Sequence, residues 1–516
     1  MARRSLKYNA AVLSITGFFV KAIGFFYRIF IANCIGAEGL GLYQLIVPIY
    51  SLLVLVLSAG ISVAVSRFVA EETSSGRIRA GMKTASLAAG VVLVAGVIVS
   101  LILILNVDTI LLTFAKDLRA RRSLLWMLAL VPPIAAASAY KGYFYGKEQV
   151  IPNAIGQVAE QLSKLAFVMV MYPHFVNKGI ESMCLLATLG LMVGECVNVF
   201  CVFCAFQYEK FKNCAKLERE IRTRTLAQKL VRTALPISAN RLVLSVLGTV
   251  ESLIIPQRLT LSGLTFQESL EVLGRLNGMA APLVFFPSML PMALATALVP
   301  AIAGAVSSGR YAVANRQISQ SIRLTLTMGL VFTAFFAICS HEIAEFIYPG
   351  KDVGHILHLL SYTGVFLYLQ QTMLGILNGL ARESAILCNT LTGSIVRILL
   401  VWFCLPIWGT DAYIVGVIAG SLITIILNFM EISKITGMSI DIGEWFIKPL
   451  TAALTGSLLA LLLKRIPGLW GHAGRLQLLI PMAVSFAVIV AVFMMTGIIR
   501  REDIRRWMRR NHTALY

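Results

Sequence analysis

Charge is what this chain has least of. Only 14% of its 516 residues are Asp, Glu, Lys or Arg, against roughly 25% in a soluble domain. A surface so poor in charge does not suit a globule in water. Acids are scarcer than bases, 25 against 45, and histidine occurs six times. The common catalytic motifs are missing: there is no glycine-rich phosphate loop, no paired metal-ligand motif and no nucleophile elbow. An ATP site, a metal and a cofactor are therefore not expected, and any vectorial work must draw on an ion gradient, the membrane potential or a cargo gradient. His355-x-x-His358 has only Asp352 nearby and reads as packing. Of nine cysteines, seven (Cys184, Cys196, Cys201, Cys204, Cys339, Cys388, Cys404) fall inside apolar runs, which suits small apolar filler and not a disulfide framework.

Long apolar runs are what the chain has instead. Hydrophobic residues make up 58% of it, and the mean hydropathy is +0.81. Runs of about 20 residues recur, each long enough to cross a ~30 Å hydrocarbon core. They are continuous, as in Val91–Leu105, so helices and not an alternating β-barrel are predicted. The pattern predicts an all-α polytopic membrane protein of about fourteen spans: 10–33, 42–66, 84–106, 122–144, 153–175, 183–207, 231–258, 276–303, 319–340, 353–379, 385–407, 412–433, 447–463 and 476–497. The first run carries Lys21 and Arg28 and lacks a small-x-small cleavage site, so it reads as a retained helix.

The net charge of +20 sits in short loops beside apolar spans, which argues for positive-inside topology and against nucleic-acid binding. With fourteen spans both termini share a side, and the segments on that side hold about 25 Lys and Arg against nine opposite. Both termini are thereby expected in the cytoplasm, the chain lying in the cell membrane. The organisation expected is a six-helix lobe over 1–207, a basic linker over 208–229, a second six-helix lobe over 230–433, two further helices over 434–497 and a basic tail over 498–516. The linker holds seven basic residues that attraction to anionic lipid would explain. The tail stretch Arg500–Arg510 sets Ile504, Trp507 and Met508 on one helical stripe, as in an interfacial helix.

The halves resemble each other. Ser74-Ser75-Gly76-Arg77 recurs as Ser307-Ser308-Gly309-Arg310, an offset of 233, and Gly41 maps to Gly274 at the same offset. Pro48 maps to Pro282 with a slip of one, and Leu13-Ser14-x-x-Gly17 recurs as Leu244-Ser245-x-x-Gly248. Two pseudo-symmetric lobes are expected, a parallel repeat about the membrane normal. Prolines 132, 133, 236, 256, 282, 287, 291 and 300 are candidate breaks or static kinks, most of them in spans seven and eight.

An ionised side chain at mid-bilayer costs about 2.5–3.5 kcal/mol on insertion scales, so such groups face a cavity or a partner. Lys21 and Arg28 lie two turns apart on one face of span one, and Glu251 and Arg258 repeat that spacing in span seven, which also holds Arg241. Span five carries Glu160 and Lys164 at i, i+4, able to satisfy each other. Glu195 lies in span six and Arg397 in span eleven. Lys21, Arg28, Lys164, Arg241, Arg258 and Arg397 are the candidate anion-binding set, with Glu160, Glu195 and Glu251 as charge partners or coupling groups. A surplus of cations in a low-dielectric chamber suits a phosphate or pyrophosphate headgroup.

Lys21-Ala-Ile-Gly-Phe-Phe-Tyr-Arg28, Ile35-Gly-Ala-Glu-Gly-Leu-Gly-Leu-Tyr-Gln-Leu45, and Gly60 to Glu71 (GISVAVSRFVAE) resemble the multidrug/oligosaccharidyl-lipid/polysaccharide (MOP) exporter superfamily. Gly142 to Lys147 (GYFYGK), Gln157 to Lys164 (QVAEQLSK), Gly278 to Pro282 and Ala295 to Pro300 extend the likeness over nearly the whole chain. Within the superfamily it is similar to the branch of stage V sporulation B proteins and MurJ-type lipid II flippases. That resemblance implies two six-helix lobes around a cationic cavity, two extra C-terminal helices, and alternating access that turns an undecaprenyl-pyrophosphate-linked saccharide outward. It implies functional roles for the basic residues of the first helix, here Lys21 and Arg28. The acid of the Gram-negative members early in helix two is absent, Gly-Leu-Gly-Leu-Tyr43 standing there, and Leu52–Ser58 replaces their arginines.

Four functions follow as expectations. A lipid II flippase, serving cell-wall or spore-cortex synthesis, has the lipid-linked saccharide, membrane lipids and cell-wall polymerases as partners. A flippase for another polysaccharide or teichoic precursor shares every feature. A cation-coupled multidrug exporter needs intramembrane acids in excess, and bases are in excess here. A membrane glycosyltransferase or polymerase needs a catalytic acid in a substantial outer loop, where only the isolated Asp108, Asp117 and Asp352 stand.

Overall fold

A computed structural model describes residues 6–212, 242–438, 443–466 and 475–498. Most of the basic linker, Arg241 and the amphipathic tail lie outside the described residues. Fifteen helices are labelled here: α1 (Leu6–Ser74), α2 (Ile78–Leu105), α3 (Arg121–Gly146), α4 (Ile151–Phe175), α5 (Ile180–Lys212), α6 (Leu242–Ser262, its last turn 3-10), α7 (Phe266–Leu273), α8 (Met289–Ser307), α9 (Tyr311–Ile347), α10 (Gly354–Ser361), α11 (Gly364–Gly379), α12 (Glu383–Trp408), α13 (Thr410–Thr436), α14 (Lys448–Lys464) and α15 (Leu479–Met495). Ten helical stretches among the described residues are long and apolar enough to cross a membrane. The first covers two of the expected spans, and α4, α10–α11 and α15 stand where spans five, ten and fourteen were expected. The all-α, polytopic class holds.

Two expectations change in detail. Residues 34–41, expected as a loop, are helical, because the turn between spans one and two is made by Gly36 alone (φ 81°, ψ 175°), a backbone state essentially confined to glycine. The prolines act unequally. Pro132, Pro133 and Pro300 sit inside continuous helices. In span eight the helix breaks into a π turn (Gly274–Ala280), a short α segment (Ala281–Phe285) and a 3-10 turn (Phe286–Ser288), with Pro282 and Pro287 at the starts of the second and third.

The chain forms two units: 1–257 with 264–274, and 258–263 with 275–516. In the first, α3 packs on α1 and α2, α4 on α5, and α7 on α1. Its core joins Val65 and Val69, Ala85 and Ala89, Tyr143 and Phe144, and Val202 and Phe206, with the Tyr143 and Phe206 rings edge to face at 5.2 Å. In the second, α8 and α9 pack on α11, α12 on α13, and α14 and α15 on each other and on α9. Ile302, Ile322, Leu369, Ile376 and Ile432 fill its centre.

Lipid offers no hydrophobic drive between helices, so close backbone approach decides which pairs form. A Cβ on Gly142 of α3 would stand 2.5 Å from the Ser62 carbonyl oxygen of α1. In the second unit a Cβ on Gly375 of α11 would stand 2.6 Å from the Ala295 carbonyl oxygen of α8. Both members of that contact are displaced by 233 residues, the repeat offset. The turns after α1 and α8 correspond likewise: Gly76 (φ 77°) and Gly309 (φ 68°) are left-handed, and the next N–H closes a bond to the carbonyl five residues back, Arg77 to Glu72 at 2.8 Å and Arg310 to Ala305 at 2.9 Å. The Ser-Ser-Gly-Arg motif is thus a helix stop, used twice.

In α9 the helix is interrupted at Cys339 (φ −103°, ψ 18°). His358 Nδ1 bonds to the carbonyl of Ala337 at 2.8 Å, and Lys464 Nζ donates to that of Ile338 at 2.8 Å while pairing with Glu342. Arg475 Nε donates to the Phe346 carbonyl at 2.8 Å. Side chains from α14 and from the turn before α15 thus fasten these helices to the carbonyls of α9.

Gly142→Val and Gly375→Val are each expected to destabilise the protein by about 1–3 kcal/mol or more through overpacking. Gly90→Ala, at a position with nothing within 4 Å of the new Cβ, is expected to leave stability equal or raised. Thermal unfolding in detergent measures all three.

Candidate functional site

The first unit gathers its intramembrane charges where α1, α4 and α5 meet. Glu160 and Lys164 are buried one turn apart on α4, 9% and 6% exposed, and Lys164 Nζ donates to Glu160 Oε1 at 2.5 Å. Asn198 of α5 donates to Glu160 Oε2 at 2.7 Å, and Gln161 to Oε1 at 3.2 Å. The Glu160 carboxylate therefore accepts from three donors, as a buried charge requires. Gly194 of α5 makes the room: a Cβ there would strike the Lys164 stem.

Glu195, half-buried on α5, has Glu160, Lys141 and Lys164 as its charged neighbours. Tyr43, on α1 beyond the bend, lies within the electrostatic reach of both Arg28 and Glu195. Tyr50 lies within reach of Glu195, Tyr43 and Glu160. Tyr43 thus lies near Arg28 on one side and Glu195 on the other, and Glu195 lies near the Glu160–Lys164 pair.

Lys21 and Arg28 are both exposed, while Tyr27 beside them is buried. A Cβ on Gly190 of α5 would meet the Tyr27 hydroxyl oxygen at 3.1 Å. Helix α1 thus turns one side to α5 and carries both bases on an exposed side. Glu251 is buried on α6, and Thr249 two residues before it lies 3.3 Å from the Pro48 carbonyl of α1.

In the second unit Arg258 stacks on Trp402 of α12, its guanidinium carbon 3.2 Å from the ring centroid. Arg397 is part-buried on the same helix, where a Cβ on Gly420 of α13 would come 3.0 Å from its own Cβ. Arg241 lies outside the described residues. The structure thus groups Lys164, Glu160 and Glu195, places Arg28 near Tyr43, and holds Arg258 and Arg397 on the second unit.

The sequence reading overlooked Asn198, Gln161, Tyr43 and Tyr50, which are uncharged, and Trp402. Asn198 had a signal, being amide-bearing and three residues after Glu195 in an apolar span. The loop acids named above prove paired with arginine: Asp108 with Arg121 at 2.6 Å, Asp117 with Arg119 at 2.7 Å, and Asp352 with Arg275 at 3.8 Å.

Comparison with known proteins supplies the family. A family model for polysaccharide biosynthesis proteins matches residues 6–306, and one named MatE matches residues 277–403. Stage V sporulation protein B of Bacillus subtilis (strain 168) is 25% identical over 98% of each chain. Lipid II flippase MurJ of the same organism is 22% identical over 84% of this chain and 83% of its own. A solved structure of lipid II flippase MurJ in an inward closed conformation shares the fold, with a TM-score of 0.68 at 13% identity, covering 95% of this chain and all of that one.

Removing one member of the buried pair leaves the other uncompensated. Glu160→Gln and Lys164→Met are each expected to cost about 3–5 kcal/mol of stability, while the double variant recovers most of it. A double-mutant cycle on unfolding in detergent measures the coupling.

Proposed function

Because the chain belongs to the polysaccharide biosynthesis protein family of the MOP superfamily, whose members are transporters and not enzymes, we propose that its cargo is an undecaprenyl-pyrophosphate-linked saccharide, turned across the cytoplasmic membrane by alternating access. Lipid II is the cargo we assign first. The observation that carries this is the exposed face of α1, on which Lys21 and Arg28 stand two turns apart.

A pyrophosphate offers several anionic oxygens in a small volume. A lysine and an arginine one above the other answer it, the lysine as a point charge and the guanidinium as a planar fork. Arg258, Arg397 and Arg241 complete the cationic set in this reading. Lys164 acts differently: its charge is spent on Glu160, and it holds α4 to α5 behind the cargo face. Glu195, which has that pair as charged neighbours, and Glu251 on α6 are the carboxylates we assign to coupling. Both termini lie in the cytoplasm, and the flipped precursor passes to cell-wall or spore-cortex polymerases.

Two other readings fare worse. A drug exporter of this fold needs open acids for cationic drugs, and Glu160 is saturated by Lys164, Asn198 and Gln161. A glycosyltransferase needs a free catalytic acid, and Asp108, Asp117 and Asp352 each lie against an arginine. A flippase for a teichoic or other polysaccharide precursor uses the same contacts, so direct assay separates it from lipid II.

Purified protein in liposomes, supplied in turn with labelled lipid II, a lipid-linked teichoic precursor and a cationic dye, is expected to translocate lipid II. The double variant Lys21→Ala/Arg28→Ala is expected to lower that rate at least tenfold with insertion intact. Dye transport without lipid transport, or an unchanged rate in the double variant, overturns the reading.

A further inference from the structure

The segment 264–274 comes from the second repeat in sequence yet belongs to the first unit. Within it, α7 begins at a capping box in which Thr265 and Glu268 exchange hydrogen bonds. The helix then meets α1 just beyond its bend. A Cβ on Gly41 would fall on the Leu270 carbonyl, and a Cβ on Gly274 on the Ala37 carbonyl. Ala37 and Leu270 are 233 residues apart, as are Gly41 and Gly274. Each repeat therefore offers the other the same glycine and the same carbonyl, the self-complementary pattern of a two-fold interface.

A polar tie lies beside this crossing. Glu38 is 8% exposed. Arg119 donates from Nη1 to Glu38 Oε1 at 2.6 Å, and from Nη2 to Asp117 at 2.7 Å. Gln267 of α7 donates to the second Glu38 oxygen at 2.9 Å. At the end of α6, Gln257 donates to the Phe114 carbonyl at 2.8 Å. One carboxylate thus joins the bend of α1, the loop before α3 and the helix α7.

We propose that the Gly41–Gly274 crossing and the Glu38 tie form a latch that closes the non-cytoplasmic end of the translocation path, and that α7 leaves α1 in each cycle to release cargo. This rests on the orientation and the flippase reading given above, which put the α1 bend, the segment 107–120 and helix α7 opposite the termini. Glycine at both crossing positions lets the backbones touch when the latch is shut. The bonds to Glu38 are ones that water can replace when it opens.

Leu270, fully buried on α7, is the reporter. With the nine native cysteines replaced by alanine and Leu270→Cys introduced, an impermeant maleimide added outside measures opening. Gly274→Val is expected to raise the labelling rate severalfold and to lower lipid II translocation at least tenfold. Arg119→Gln and Gln267→Ala, which add no bulk, are expected to raise labelling by at least twofold. Labelling unchanged in all three overturns the latch, as does full translocation by Gly274→Val. Raised labelling in a protein that moves none of the three cargoes upholds the latch and removes the flippase reading instead.

Discussion

The Glu160–Lys164 pair is the interaction on which the interior of the first unit depends. An ammonium and a carboxylate inside a lipid-embedded bundle are tolerable only if each finds the other and spare lone pairs find donors. That requirement reaches beyond the two residues. It asks for Asn198 on the facing helix and for a glycine at position 194 so that the lysine stem can cross. The close packing of α4 on α5 thus serves a local electrostatic need.

The spans were legible in the sequence because lipid forces each apolar run to close its own backbone hydrogen bonds. Chain duplication was legible because helix stops and close crossings need particular residues. Ser-Ser-Gly-Arg recurs since each copy ends a helix with a left-handed glycine, and Gly41 and Gly274 match since each must admit a carbonyl. Helix continuity was not legible. A proline pair passes unbroken through α3, while Gly36 turns the chain without a loop, because neighbouring helices decide whether freed carbonyls are satisfied.

The ionised groups could be named from the sequence, but not their standing. Lys21 and Lys164 look alike as lysines in apolar spans. Lys21 is exposed on α1, and Lys164 is buried against an acid one turn away. The difference is made by residues that carry no charge, Asn198 and Gly194 above all, and by which side of α1 packs on α5 through Tyr27 and Gly190. Arg258 could be listed as a membrane arginine, yet its stacking on Trp402 needed the approach of two helices distant in sequence.

The way α14 and α15 are fastened has a consequence for handling the protein. Their hold on α9 runs partly through Lys464, which reaches a main-chain carbonyl at the Cys339 interruption, and Arg475, which reaches one at the end of α9. Such bonds are strong where nothing else can donate to those oxygens, and water donates well. The attachment of the last two helices is thus a joint property of the chain and of its surrounding amphiphile. A thin or leaky micelle loosens it without altering a single residue.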